Sequence, residues 1–140
     1  MNAKKFLYQY EKLKALIDSK EQKIISLKEK AVKITVQSYD EKVQSSGRKD
    51  SMAEAVTDYT DLEREVQQEI SECQDRQKEI ERVLECLPTP EFRVLHKRFI
   101  ECKELYIIAD EMGKSYSWAN KTQRRALKHV QEILDEREKR

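Results

Sequence analysis

Apolar residues between Phe6 and Ile34 recur every seven positions, with Tyr10, Ile17, Ile24 and Ala31 on one line and Phe6, Leu13, Leu27 and Ile34 on the next. A sevenfold repeat is the pattern of a helix of coiled-coil type. Lys20 stands where the second line expects an apolar side chain, and reads as a marker of register or oligomer state that costs stability. A second stripe, Tyr59, Leu62, Val66, Ile70, Cys73, Gln77, Ile80 and Leu84, predicts a second helix. Asp50 or Ser51 would cap it after a turn at Gly47, and it would run to Leu87, where Pro88 ends it. Two antiparallel helices across a short polar turn follow.

A third pattern begins at Leu105. Leu105, Ile108 and Ala109 fall on one face of a short helix, and Ala109 is small enough for another helix to cross closely. Gly113 can adopt the left-handed conformation that stops this helix, and Ser115 can cap the next by accepting from its free N–H groups. In that next helix Ala119, Thr122, Ala126, Val130 and Ile133 would face inward, with Ser117, Asn120, Lys121, Arg124 and Lys128 outward. This is the order of a helix-turn-helix whose second helix reads DNA. From Lys114 to His129 there is no carboxylate, and Lys114, Lys121, Arg124, Arg125 and Lys128 give the stretch +5 in a chain of net charge +1. Cations concentrated in that way are the footprint of phosphate binding.

The reading is therefore an all-α chain: a long antiparallel helical hairpin of coiled-coil type over 1–87, serving oligomerisation, followed by a small helix-turn-helix domain over 88–140. Charge adds to this picture, because residues 1–50 carry +5, residues 51–87 carry −7 and residues 88–140 carry +3. A basic helix beside an acidic one favours the hairpin register, although each exposed pair contributes little. Neither stripe can be buried by the hairpin alone. It either joins a second copy, the dimer being preferred, or braces the C-terminal domain, and Tyr8, Tyr10, Tyr39 and Tyr59 read as core or dimer contacts.

Other chemistries find little support. Cys73, Cys86 and Cys102 are odd in number and lack metal-type spacing, and only His96 and His129 offer imidazole, so reduced thiols and no metal are expected. No cofactor is implied. Lys4, Lys5, Glu11, Lys12 and Lys14 interrupt the first helix, so neither a signal peptide nor a membrane span is expected and the location is read as cytoplasmic. Catalytic residues are read as none, because no glycine-rich phosphate loop or nucleophile–base constellation separates from the helical background.

The stretch Leu87 to Leu134 resembles region 4 of bacterial sigma factors, which reads the −35 promoter element. Leu87-Pro88 introduces it, Val94-Leu95 with Arg98-Phe99 fits its scaffold helix, and Ile108-Ala109, Met112-Gly113, Ser115 and Arg125-Ala126-Leu127-Lys128 follow in order. The N-terminal half departs from a sigma factor, having no region that melts the −10 element. Its layout looks like small phage and prophage regulators of Gram-positive bacteria that activate late genes. The resemblance implies base-reading side chains at Tyr116, Ser117, Trp118, Asn120 and Lys121, of which the family usually has charged residues at the first three, so a standard −35 hexamer is not the expected target. Lys121 can donate to guanine and Asn120 can pair with adenine, whereas Arg124, Arg125 and Lys128 suit phosphates. Trp118 either touches DNA or closes the core against Phe99 or Tyr106. Lys97 can reach the DNA backbone, and Arg98, as in the family, can pair with Asp110 or Glu111.

The expected partners are double-stranded DNA, a second copy of the chain and, as the resemblance implies, RNA polymerase. The expected function is sequence-specific transcriptional regulation. Two other readings stay open: a DNA-recognition subunit of a phage packaging machine, and a polymerase-binding module without specific DNA affinity.

Overall fold

The computed structural model describes residues 1–40 and 46–140, with side-chain surroundings given outside 34–52. The chain is all-helical, with no strand among the described residues: α1 spans Ala3–Asp40, α2 Ser46–Leu84, α3 Thr89–Leu95, α4 Leu105–Glu111 and α5 Tyr116–Glu138, with a π-helical stretch His96–Ile100 continuing α3. It divides into two compact units.

One unit is the hairpin over residues 14–72. Ile17, Ile24 and Ala31 of α1 are buried with Ala55 and Val66 of α2, as the sevenfold repeat requires. Lys20, the interruption in that repeat, pairs with Glu69 and lies 3.6 Å from Glu65, and Lys28 lies 2.6 Å from Glu63 with its ammonium 5.5 Å from the Tyr59 ring centroid. Numbers rising on one helix against numbers falling on the other establish the antiparallel register. Its hydrogen bond to Glu69 is the main cause raising the Lys20 ammonium above the ordinary lysine value. Lys20 thus marks register within one chain.

The ends of α2 differ from the sequence expectation. The helix already includes Gly47, Asp50 and Ser51, so neither Asp50 nor Ser51 caps it and Gly47 is not its turn. A single glycine costs only about 1 kcal/mol inside a helix, which neighbouring turns offset. The positions of Ile34 and Tyr39 in the packing, and residues 41–45 of the expected turn, lie outside the described residues. At its other end α2 stops at Leu84. Cys86 N–H then donates to Val83 O at 3.1 Å and Leu87 N–H to Leu84 O at 3.0 Å, a tighter turn that leads into Pro88.

The second unit joins residues 1–13 to residues 73–140. Its core gathers Phe6 and Leu7 of α1, Ile80, Val83 and Leu84 of α2, and Leu95, Phe99, Ala126 and Val130. Tyr8 meets Phe99 edge-on, with ring centroids 5.1 Å apart and planes at 80°. Pro88 therefore marks a turn of the chain and not the edge of a compact body. Cys73 belongs to this unit and is buried, while Cys86 and Cys102 are exposed.

Two residues after the π-helical stretch Cys102 holds the left-handed conformation at φ 56°, and Lys103 N–H reaches back to Lys97 O at 3.0 Å. Side chains other than glycine pay about 1–2 kcal/mol there. Replacing Cys102 with glycine is expected to raise the unit's stability by about 0.5–1 kcal/mol, since glycine's greater unfolded-state freedom offsets part of the relief. Chemical denaturation of the two proteins side by side measures it; a lower midpoint for the variant would contradict the strain.

Candidate nucleic-acid interface

The turn between α4 and α5 is built from backbone bonds. Gly113 holds φ 64°, Lys114 N–H donates to Ala109 O at 2.9 Å, and Gly113 N–H donates to Asp110 O at 3.1 Å. Those two bonds make a Schellman C-terminus, which satisfies carbonyls that the end of α4 would leave open. A Cβ at Gly113 would meet nothing within 4 Å, so the backbone angle and not crowding calls for glycine. Ser115 Oγ then accepts from Trp118 N–H at 3.1 Å and caps α5. Ile108, Ala109, Ala119 and Thr122 are buried where α4 and α5 cross.

Along α5, Ala119, Thr122, Ala126, Val130 and Leu134 are buried, and Ile133, expected inward, is half-buried with Leu134 taking its place in the core. Ser117, Lys121, Arg124 and Lys128 are exposed at spacings of four, three and four, hence on one face. Asn120 is half-buried on one flank of that face, and Lys114 and Tyr116 are exposed at the turn. Among the described residues no carboxylate pairs with Lys121, Arg124 or Lys128.

The structure gives three of the singled-out side chains definite surroundings. Arg125, expected at phosphates, has a partner within the chain: its Nε donates to Glu91 Oε1 at 3.0 Å while its side chain stays 60% exposed, and His129 Nδ1 lies 2.6 Å from Glu91 Oε2. Glu91 is only 3% exposed, so burial compels this carboxylate to find partners. Phe99 meets Tyr8 and Tyr106 is largely exposed, and among the described residues Trp118 makes no ring contact with either. It is half-buried in an open groove with Pro90, Phe92 and Met112, with the Lys114 ammonium 5.7 Å from its ring centroid. One expectation is corrected on the scaffold: Arg98 Nη1 donates to Lys103 O at 3.1 Å, and Lys97, not Arg98, is the partner of Glu111 at 2.9 Å.

Lys103 also reaches Glu111, at 2.7 Å, so two ammonium groups converge on one carboxylate and tie the segment after α3 to the end of α4. Hydrogen bonds from Lys103 and then Lys97 hold Glu111 below the ordinary carboxylate value, and those to Glu111 and Glu101 raise Lys103. A depressed carboxylate stabilises the fold above its unfolded value and loses that contribution as pH falls through its folded value. The melting temperature of Glu111→Gln should therefore lie below that of the parent at neutral pH, with the gap closing as pH falls below the ordinary carboxylate range. A gap that persists in acid would assign the effect to packing.

No group of three or more His, Cys, Asp or Glu among the described residues could hold a metal ion, and none of their helices is long and apolar enough to cross a membrane. Comparison of the chain with protein-family models, curated proteins and solved structures finds no match.

Proposed function

We propose that the chain binds double-stranded DNA through α5 and regulates transcription, with Ser117, Asn120 and Lys121 reading bases and Arg124 and Lys128 holding phosphates. The observation that carries the reading is the uncompensated face of Ser117, Lys121, Arg124 and Lys128, presented directly after a glycine-stopped, serine-capped turn. A helix fits the major groove, where Lys donates to guanine acceptors and Asn pairs with adenine, whereas phosphate contacts set position without reading sequence. Tyr116 and Trp118 flank the reading face, and in this reading their rings would meet sugar or a thymine methyl. Arg125 supports the helix through Glu91.

The likeness of the C-terminal stretch to sigma region 4 extends this proposal to late-gene activation in a phage or prophage, in the cytoplasm, with RNA polymerase as a further partner. Selection of bound fragments from the source genome, at two salt concentrations, tests it. One enriched motif beside a promoter, surviving the higher salt, is the expected result. No enrichment, together with polymerase binding that salt does not weaken, would replace it with the polymerase-binding module, and enrichment at a packaging gene would replace it with the packaging subunit.

A further inference from the structure

The hairpin over residues 14–72 leaves part of its apolar surface uncovered. Ile25 and Val32 of α1, one heptad apart, are 50% and 62% exposed, and Val56 of α2 is 38% exposed. Ile25 borders the same open groove as Thr60 of α2, which places these apolar residues of α1 and the Thr60 stripe on one side of the hairpin. Val56 lies one helical turn from Thr60. Continuing the register of Lys20 with Glu69 and Lys28 with Glu63 sets Val32 opposite residues 57–59, within one helical turn of Val56. The exposed side chains therefore form one patch, of a kind that marks an interaction surface when contiguous.

Charge identifies the occupant. Over residues 14–40 six lysines face four carboxylates, whereas over residues 46–72 three cations face eight carboxylates. We propose that this patch docks a second copy of the chain, with α1 of each copy against α2 of the other. Face-to-face hairpins admit two twofold arrangements. An axis along the helices sets each α1 beside the other copy's α2, basic against acidic, and makes every neighbouring pair antiparallel; an axis across them sets α1 against α1 and repeats like charge. Charge complementarity selects the first. In it, Val32 of one copy sits within one helical turn of the height of Val56 of the other.

Light scattering on the full chain, without DNA, tests this independently of the nucleic-acid reading. The expected mass is twice 16.7 kDa. Val32→Glu and Val56→Lys should each run as monomers with unchanged helical circular dichroism, since both positions are partly or largely solvent-exposed within one chain, and mixing the two should restore the dimer. A monomeric parent, a parent larger than a dimer, or single variants that stay dimeric would overturn the proposal. A mixture that stays monomeric would overturn the pairing of α1 with α2.

Discussion

Alanine at both Lys121 and Arg124 is expected to weaken binding to the preferred duplex by about 2–4 kcal/mol, roughly thirtyfold to a thousandfold. The two side chains share a face and neither is held by a carboxylate among the described residues, so their removal leaves no unsatisfied partner and little change in stability. The single variants should separate the roles. Lys121→Ala should relax base preference at one position, losing about 1–3 kcal/mol on the preferred site and much less elsewhere. Arg124→Ala should weaken all sequences alike, and flatten the slope of log affinity against log salt by about 0.9. Fluorescence anisotropy on preferred and scrambled duplexes over a salt series reads both. If both variants bound every sequence as tightly as the parent, α5 would not be the reading helix.

Removing the partners of Glu91 should be the costliest change in stability. Arg125→Met with His129→Leu would leave a carboxylate that is 3% exposed without either of its hydrogen bonds. Stranding a buried charge costs about 3–5 kcal/mol; here about 2–3 kcal/mol is expected, because the Arg125 side chain is 60% exposed and water already screens that bond. Adding Glu91→Met to the pair should recover most of the loss, since an apolar trio of similar volume carries no desolvation penalty. Urea denaturation of the double and triple variants decides it. A triple variant no more stable than the double would mean that packing of α3 on α5, and not the stranded charge, dominates.

The contrast between Arg124 and Arg125 shows where sequence is informative. Gly113, Ser115 and Ala109 could be read directly because a helix stop, a helix cap and a close crossing are local requirements with few residue solutions. The heptad lines of α1 were legible for a similar reason: Ile17, Ile24 and Ala31 repeat a period that only one face of a helix explains. Glu91 was not legible. It looks like an ordinary first-turn carboxylate, and its burial depends on a helix more than thirty residues away. Arg125 inherits that ambiguity, because a cation in a basic run looks the same whether it faces solvent or reaches a buried acid. The exchange of roles between Lys97 and Arg98 has the same origin, since one residue along a π-helical stretch changes which side chain faces α4. Pro88 misled in another way: proline marks where a helix cannot continue, while the core continues across it through Leu84, Leu87 and Leu95.

The unit that holds α5 is assembled from residues 1–13 and residues 73–140. During ribosomal synthesis Phe6 and Leu7 emerge well before Phe99, Ala126 and Val130, their partners in this core. A nascent chain would hold those apolar side chains exposed until these partners are made. Closing the intervening hairpin shortens the effective distance between the two pieces and lowers the loop-closure cost of bringing them together. Lys20 with Glu69 and Lys28 with Glu63 lie within that hairpin, and slowing its closure should lengthen the window in which the chain is open to aggregation.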